Sequence, residues 1–494
     1  MRGLTQRIAS ILGSRQFYWF TLGFFVFQAL WIALSAVYPM AFDEDFHLSV
    51  IRIYSEQWSP FLATQPNGTN QFGALAADPS YLYHYLMSFP YRMLSIFTDS
   101  QAAQVIFLRL INIGIITAGV VLFRRLLLRV GTSPALANTG VLLFALIPSV
   151  ALLAGQINYD NLVLLALAVV CWLTLDITQK LQARKIDLTS FTLLAIVLML
   201  ACLIKYAFLP FAIVAVGYVT FMVWRTFRNH PFRSGLTNAY KDLSRQTAVG
   251  LLILLALSAG LFLQRYGVNT VNYGHPVPDC SAVIGIEACM EYGPWGRNYR
   301  YAASKSADFS ANPLAYTWTW LQSMHYRMFF MITGPPTHTN YPPALFPSAA
   351  AVAILVYGAT ALVFYWRRIF VGRPFLVFIL LMTLVYGAIL WSQNYEQYAQ
   401  TGQPVAINGR YFLPLMLPMI AVFSIALGEA FRSRRLKTWV AVAVIALFLQ
   451  GGGVFSFILR SDPSWYWPNP IVLNTNTAAQ QVLSRVMFIG PKNY

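Results

Sequence analysis

Charged residues are scarce in this sequence: 10% of its 494 residues are Asp, Glu, Lys or Arg, whereas 57% are hydrophobic. Such a composition cannot surround an ordinary water-soluble core. The chain also lacks a glycine-rich nucleotide loop, the His and Cys spacing of a zinc site, and any internal repeat. These absences argue against ATP-driven transport and against a Rossmann-type site for a nucleotide sugar.

Long apolar runs are abundant instead, and they recur from Phe17 to Gly453. Each is long enough to cross about 30 Å of hydrocarbon as a helix. Helices keep their backbone hydrogen bonds satisfied within lipid, so we predict an all-α polytopic membrane protein with about eleven transmembrane helices. The predicted spans are roughly 17–38, 104–123, 134–154, 161–177, 188–204, 208–224, 247–263, 348–366, 374–391, 411–428 and 439–459.

The few charges lie mostly on one side of the predicted bundle. Of the 34 Lys and Arg residues, 21 fall in segments that face the cytosol if the N-terminus is cytosolic. This excess is typical of the inner face of a membrane protein, so the basic balance does not indicate nucleic-acid binding. We expect a multi-pass protein of the plasma (inner) membrane, with its N-terminus in the cytoplasm and its C-terminus outside. Its basic segments can also attract anionic membrane lipids.

Two long outer loops and an outer tail follow from this orientation. Both loops mix aromatic residues, proline and charge, which favours short helices that lie in the membrane interface. Cys280 and Cys289 are close enough for a local disulfide, a pairing that the sequence leaves open. The predicted division is a transmembrane module at 1–460, with outer loops at about 39–103 and 264–347, and an outer C-terminal tail at 461–494.

An acidic cluster follows the first predicted span directly, in the segment Asp43-Glu44-Asp45-Phe46-His47. Carboxylates are costly at bilayer depth, so acids at this boundary need a structural or chemical reason to be there. If the segment is helical, Asp43 and His47 lie one turn apart on one face. The alternative is that the acids only cap the helix, where negative charge offsets the dipole.

Three further polar segments lie at the outer ends of other spans. They are Asn158-Tyr159-Asp160, Lys205-Tyr206 and Asn408-Gly409-Arg410-Tyr411. Together with the acidic cluster they could ring one cavity that opens outward. The alternative for Lys205 and Arg410 is snorkelling to lipid headgroups, and Asp160 could be a helix N-cap.

This set of residue types suits the transfer of a sugar from a lipid phosphate. Cations can hold the phosphate, and the forked guanidinium of Arg410 matches its geometry. The phosphate is already a competent leaving group, so the remaining need is a base that takes the proton of an acceptor hydroxyl. Asp43 or Glu44 can supply that carboxylate.

The same motifs resemble those of the GT-C superfamily, the integral membrane glycosyltransferases that use polyprenyl-phosphate sugars, and especially a less characterised bacterial branch. That branch has a Pro-x-Asp-Glu-x-x-His motif after the first span, Asn-x-Asp before the fourth, and Gly-Arg-Tyr-Phe-x-Pro near the C-terminal end. The matches here are 43–47, 158–160 and 409–414, although Pro39 stands four residues before Asp43 instead of two. The stretch 79–84 is similar to a His-Pro-Pro-Leu-Tyr-Tyr stretch of the superfamily without its leading His.

The resemblance implies a GT-C-like fold and an inverting transfer of a monosaccharide from a polyprenyl-phosphate donor to a glycan, lipid or protein at the outer face. It assigns Asp43 as the base and Glu44 as its support or as an acceptor ligand. No cofactor is expected to be required, and a divalent metal held by these acids and Asp160 is not favoured. The implied ligands are Arg410, Lys205 and Tyr206 for the donor phosphate, and His47, His84, Asn158, Asp160 and Tyr411 for the substrates.

Two other functions are open at this point. A transporter or flippase of lipid-linked saccharides would also need polar groups among many helices, but it predicts charge through the depth of the bilayer and broken helices in matching halves. The candidate residues gather at one boundary instead. A non-catalytic scaffold in envelope assembly is the second alternative, and it predicts that Asp43, Glu44 and Arg410 are all replaceable.

Overall fold

The computed structural model describes residues 2–41, 43–241, 243–329, 343–431 and 433–487. Parts of the predicted second outer loop (330–342) and of the predicted tail (488–494) therefore lie outside the described residues. All regular elements in the described ranges are helical, and their β pairing is limited to one isolated bridge between Ala36 and Tyr466. The prediction of an all-α protein is confirmed.

The described residues of the first half of the chain contain eleven α-helices. Short 3-10 turns at Asn70–Phe72 and Tyr206–Phe208 separate some of them. The helices are α1 (Arg2–Gly13), α2 (Arg15–Ser35), α3 (Glu44–Ser55), α4 (Leu82–Ser95), α5 (Gln101–Arg129), α6 (Pro134–Ala145), α7 (Pro148–Ala154), α8 (Tyr159–Gln182), α9 (Leu188–Ile204), α10 (Leu209–Phe227) and α11 (Phe232–Lys241).

In the second half, the part that the structure describes contains twelve more, with a π-helical segment at Leu263–Gly267 and 3-10 turns at Gly409–Phe412 and Pro463–Trp465. The helices are α12 (Arg245–Phe262), α13 (Val268–Tyr273), α14 (Cys280–Ile284), α15 (Ile286–Glu291), α16 (Gly293–Ala303), α17 (Pro313–Phe329), α18 (Leu345–Phe370), α19 (Pro374–Thr401), α20 (Leu413–Ala430), α21 (Arg434–Leu449), α22 (Val454–Arg460) and α23 (Pro470–Leu483).

Nine helical segments of the described chain are long and apolar enough to cross a membrane. The pair α6 and α7, bent by 75°, supplies a tenth. The apolar helix α9, at Leu188–Ile204, is shorter but lies at the predicted fifth span. These segments occur in the order of the eleven predicted spans, which confirms a polytopic membrane protein.

Local sequence signals set several helix ends. The hydroxyl oxygens of Ser14, Ser100 and Ser133 accept hydrogen bonds from backbone N–H groups in the first turns of α2, α5 and α6. Pro148 cannot continue the hydrogen bonding of α6 and starts α7 in a new direction, which produces the 75° bend. The connection after this bend carries the chain to the start of α8, where several polar residues lie.

The bundle has a buried centre and a lipid-facing edge. Of the apolar stretch in α8, 67% is buried within the protein, whereas only 6% is buried in the span that begins with α12. Charged residues at the basic end of the bundle form ion pairs with each other. In one of these pairs, Arg129 Nη2 lies 2.8 Å from Asp176 Oδ1. The four polar segments of the sequence lie at the opposite end.

The second outer segment covers part of the first. Cys280 and Cys289 form a disulfide, which answers the question left open by the sequence. Beside it, Asn70 Nδ2 donates to Glu291 Oε1 at 3.1 Å, and the Tyr292 ring packs over Gly73. The two outer segments are therefore held together at the end of the bundle where the polar residues lie.

Candidate active site

Asp43 lies at the entrance to α3 in a left-handed backbone conformation, with φ of 69°. Non-glycine residues adopt this conformation infrequently. Its side chain makes no capping hydrogen bond. The carboxylate turns toward α20 instead, where Oδ2 accepts a hydrogen bond from Arg410 Nη2 at 2.7 Å. Since the side chain is 59% exposed, Asp43 combines a fixed position with access from outside.

Arg410 reaches this position because the backbone before α20 passes very close to α17. A Cβ atom on Gly409 would lie 2.2 Å from the carbonyl oxygen of Met324, so only glycine fits there. The Asn408 side chain then accepts a hydrogen bond from the Arg410 backbone N–H at 3.1 Å. The guanidinium is 7% exposed, so it lies within the protein and not among lipid headgroups.

Lys205 and Asp160 form a second ion pair beside the first. Lys205 interrupts the helical path between α9 and α10 with an extended backbone, and its Nζ lies 2.6 Å from Asp160 Oδ1. Their side chains are 10% and 6% exposed. The other Asp160 oxygen lies 3.9 Å from Arg410 Nε, so Asp160 faces both cations. This burial does not match the snorkelling alternative for Lys205.

These charges line a small, partly open cavity. Asp160, Lys205, Arg410 and Tyr411 line it, together with apolar and aromatic side chains such as Phe211. Lys205 Nζ lies 5.1 Å from the centre of the Tyr411 ring. Asp43 is not among the described residues that line the cavity, and it is linked to them through its hydrogen bond with Arg410. Four residues predicted to share a site, together with Asp43, are thus brought together.

Glu44 has a different environment from its neighbour Asp43. It is fully buried, and its carboxylate pairs with Arg109 through two hydrogen bonds of 2.7 and 2.8 Å. The backbone N–H groups of Met40 and Ile157 also donate to it, at 2.8 and 3.1 Å. These four donors occupy the carboxylate, which suits a supporting role and leaves Asp43 as the exposed carboxylate beside Arg410.

His47 and His84 are both buried and stack on each other, with ring centres 5.2 Å apart. His47 Nδ1 lies 2.9 Å from His84 Nε2, and His84 Nδ1 lies 3.2 Å from the Ser80 carbonyl oxygen. Burial lowers the pKa of both imidazoles, and for His47 the charges of Arg410 and Lys205 act in the same direction. Both rings are therefore neutral at pH 7.

Two of the predicted residues have other contacts. The Asn158 side chain caps α8 by accepting a hydrogen bond from the Asp160 N–H at 2.8 Å, and Asn158 is not among the described residues that line the cavity. The N-cap of α8 is therefore Asn158, not Asp160 as the sequence alternative had it. Tyr206 is 45% exposed, and its backbone N–H donates to Ser80 Oγ. The predicted substrate roles of both residues stay predictions.

The sequence profile of the dolichyl-phosphate-mannose-protein mannosyltransferases matches residues 19–273, more than half of the chain. The chain belongs to this family. The predicted GT-C superfamily and the enzyme class of its members, membrane glycosyltransferases, are thereby confirmed. The matched stretch contains the Asp43 cluster, Asp160 and Lys205, and it ends before Arg410. No curated protein sequence matches the chain.

The solved structures to which this family member is similar include the oligosaccharyltransferase AglB of Archaeoglobus fulgidus. In complex with an inhibitory peptide and a dolichol-phosphate, that protein is 12% identical, with a TM-score of 0.44 over 97% of this chain and 61% of that one. Its form with a tethered acceptor peptide gives 12% identity, a TM-score of 0.45, and 97% and 60% coverage. The chain spans about 60% of the length of this oligosaccharyltransferase.

Sequence reasoning missed one functional side chain of this mannosyltransferase-family chain, Arg109. It lies inside the apolar span α5 and is fully buried. Its Nη1 donates to the carbonyl oxygens of Ala33 and Ala36, and its Nε and Nη2 donate to the Glu44 carboxylate. An arginine within a membrane span is costly unless paired. That cost is the signal that could have identified it.

Asp43, Glu44 and Asp160, the acids suggested as possible metal ligands, do not form a group of three in the described residues. Glu44 pairs with Arg109, and Asp160 pairs with Lys205, so each is neutralised by a cation. In the described part of the chain no three His, Cys, Asp or Glu side chains are grouped to hold an ion. The donor set therefore fits poorly the several oxygen ligands that a divalent cation takes.

Proposed function

We propose that this chain transfers a monosaccharide from a polyprenyl-phosphate donor to a hydroxyl-bearing acceptor at the outer face of the membrane, with inversion at the anomeric carbon. The observation that carries the proposal is the position of Arg410. It touches Asp43 on one side and faces Asp160 and Lys205 on the other, at a cavity near the membrane boundary. The Arg410 guanidinium thus lies between the proposed base, Asp43, and the proposed phosphate site.

Arg410 and Lys205 hold the donor phosphate in this proposal. Both are buried, and cations in a partly dry site stabilise phosphate charge more strongly than they would in water. Asp160 keeps Lys205 in place through their 2.6 Å contact, and Tyr411 and Tyr206 complete the walls toward the donor. The apolar side chains of the cavity, such as Phe211, fit the neighbouring lipid chain.

Asp43 is the base. As the acceptor oxygen attacks the anomeric carbon, its proton passes to Asp43, and the bond from that carbon to the phosphate oxygen breaks. Negative charge thus leaves Asp43 and appears on the phosphate. Because Arg410 faces both groups, it stays paired with an anion throughout the step, which avoids an uncompensated buried charge.

Inversion follows from the carboxylates that are available. A retaining transfer with a covalent intermediate needs one carboxylate as nucleophile and another as acid and base. Glu44 is occupied by four donors and Asp160 is paired with Lys205. Of these three carboxylates only Asp43 is exposed, at 59%, which favours a single displacement. Glu44 and Arg109 support the base by fixing the start of α3, and no metal ion is required.

The site faces outward in this proposal, with the N-terminus in the cytoplasm and the C-terminus outside. The basic helix ends, including Arg129 of α5, lie at the other end of the bundle, as expected for a cytosolic face. The disulfide between Cys280 and Cys289 lies on the segment that packs near the site. Disulfides persist in oxidising compartments, which supports the same orientation.

The direct test is transfer by the purified protein in nanodiscs, with radiolabelled polyprenyl-phosphate sugars as donors and a membrane extract as acceptor. The name of the family makes the mannosyl donor the first to try. We expect a labelled product whose new linkage has the anomeric configuration opposite to that of the donor. A product with retained configuration would overturn the single displacement, and transfer from no donor in the panel would overturn the proposed reaction.

The phosphate site has its own test. Arg410→Ala and Lys205→Met should each weaken binding of the donor by about tenfold or more, since each removes a charge-assisted contact. Arg300→Ala is a matched control, because Arg300 is an exposed cation on the second outer segment. If the two site variants bind the donor as tightly as the Arg300 variant, the assignment of the phosphate site is wrong.

A further inference from the structure

The two buried histidines form a directed chain of hydrogen bonds. It runs from the Ser80 carbonyl oxygen to His84 and then to His47, with separations of 3.2 and 2.9 Å. His47 and His84 come from different helices, α3 and α4, and each is 1% exposed. The order of the atoms along this chain determines which ring nitrogens carry hydrogen.

A carbonyl oxygen can only accept, so His84 Nδ1 carries the hydrogen that points at Ser80. A neutral imidazole has one N–H, and His84 Nε2 is therefore a lone-pair acceptor. His47 Nδ1 must donate to it, which leaves His47 Nε2 with a lone pair as well. The opposite tautomers would place a lone pair of His84 against the carbonyl oxygen of Ser80.

His47 Nε2 is buried and has no hydrogen-bond partner among the described residues. The imidazole lies one helical turn beyond Asp43, whose carbonyl oxygen accepts from the His47 backbone N–H at 3.0 Å. Its ring meets the Tyr159 ring edge-on at 4.5 Å, and Lys205 Nζ lies 4.4 Å from the centre of that same tyrosine ring. The imidazole with the unsatisfied acceptor thus lies one helical turn from the proposed base and contacts the same tyrosine ring as a proposed phosphate ligand.

We propose that His47 Nε2 accepts a hydrogen bond from a hydroxyl group of the transferred sugar or of the acceptor, and that it does not bind the donor phosphate. An ionised phosphodiester offers only acceptor oxygens to a lone pair, whereas a hydroxyl can donate. His84 and the Ser80 carbonyl act as positioning groups that hold the tautomer. This inference rests on the proposed transferase function and narrows the predicted role of His47.

The experiment compares the wild-type protein with His47→Leu in nanodiscs. The donors are dolichyl phosphate mannose and its four monodeoxy mannose analogues, and single hydroxyl deletions are made in the acceptor that the transfer assay identifies. Loss of one particular hydroxyl should cost the wild type about tenfold in kcat/KM, because it strands a buried acceptor. The same loss should cost His47→Leu less than about threefold, since the partner is already gone. Coupling with a donor analogue or with an acceptor analogue identifies which molecule carries the hydroxyl.

Sugar-free dolichyl phosphate separates the two possible ligands of His47. Its binding should be the same for wild type, His47→Leu and the control His275→Leu, which changes an exposed histidine of the second outer segment. His47→Gln, whose amide oxygen can accept, should restore part of the discrimination and guards against a variant that fails to fold. A large loss of dolichyl phosphate binding in His47→Leu, or equal penalties for every analogue in both proteins, would overturn the proposal.

The tautomer has a readout that does not depend on transfer. The ¹⁵N chemical shift of His47 Nε2 in the labelled wild-type protein should be that of a nitrogen with a lone pair. In His84→Leu the His47 ring should no longer be held in this one tautomer, and the Nε2 shift should change accordingly. A protonated signal at that nitrogen in wild type would overturn the inference even if transfer proceeds as proposed. Absence of transfer from every donor, together with a lone-pair signal, would reject the transferase reaction instead.

Discussion

Removal of the Arg109 side chain should destabilise this protein more than removal of any exposed cation. In Arg109→Met the Glu44 carboxylate loses both hydrogen bonds to the guanidinium and keeps only the backbone N–H groups of Met40 and Ile157. The carbonyl oxygens of Ala33 and Ala36 lose their contacts with Nη1 as well. A buried charge and two buried acceptors are left behind.

The magnitude follows from burial. Both partners are 0% exposed, and breaking a buried ion pair by removing one partner costs about 3–5 kcal/mol. The stranded carbonyl groups add about 1 kcal/mol or more, so we expect a loss of at least about 4 kcal/mol in the free energy of unfolding. Substituting Leu for Glu44 in the same protein should recover part of this loss, because no buried charge then remains, while the stranded backbone groups stay.

Unfolding by SDS in mixed micelles, followed by intrinsic fluorescence, measures these changes. The matched control is Arg129→Met, which breaks a pair of similar length, 2.8 Å, whose side chains are 28% and 19% exposed. Such partly exposed pairs contribute about 1 kcal/mol or less. If the Arg109 and Arg129 variants lose equal stability, or if the Arg109 and Glu44 substitutions are additive, the pair does not hold the site as described.

Three further outcomes are expected. Gly409→Ala should reduce transfer by about tenfold or more, because its Cβ would clash with the Met324 carbonyl oxygen. The control Gly217→Ala has open space around its Cβ and should keep nearly the wild-type activity. Equal activities of the two variants would contradict the close approach. Burial lowers the pKa of His84, so its contribution to stability is complete above about pH 6.5 and falls below that pH by about 1.4 kcal/mol per pH unit. His84→Gln should therefore lose stability less steeply than the wild type, and parallel pH profiles of the melting temperature would contradict this. Reduction of the Cys280 disulfide should speed proteolysis of the second outer segment by roughly tenfold or more, and unchanged cleavage would count against its role in ordering that segment.

The spans and the convergence of the site were accessible to sequence reasoning for one reason. Successive spans run in opposite directions, so the end of one span and the start of the next lie at the same face of the membrane. In the predicted topology Lys205 follows an outward span and Asp43 follows another, while Asp160 and Arg410 precede inward ones. Hydropathy and the alternating direction of the spans are therefore enough to predict that these residues lie at one membrane boundary.

The choice between two adjacent acids was not accessible in this way. Asp43 and Glu44 differ because the backbone of Asp43 has a φ of 69°, which directs one carboxylate to Arg410 and the other into the bundle. No residue preference in the sequence specifies that turn, since aspartate only tolerates it. The contact between Gly409 and Met324 is equally invisible, because the two segments approach each other only in the folded bundle.

The bend at Pro148 could be predicted from the sequence only in part. Proline predicts an interruption of the sixth helix, and the structure has one. The predicted span 134–154 treats the two pieces as continuous, because hydropathy does not record direction. The angle of 75° depends on packing against neighbouring helices. This bend directs the chain toward the start of α8, which lies at the site.

The most direct test of the base is the turnover of Asp43→Asn compared with that of Asp45→Asn. The two acids are two residues apart, but Asp45 is exposed and accepts a hydrogen bond from the Tyr38 hydroxyl at 2.7 Å, away from Arg410. We expect Asp43→Asn to lower kcat about a thousandfold, within the range of general-base catalysis, with donor binding changed by less than about threefold. Asp45→Asn should stay near wild type, and an Asp43→Asn protein that turns over as fast as the Asp45 variant would contradict the account.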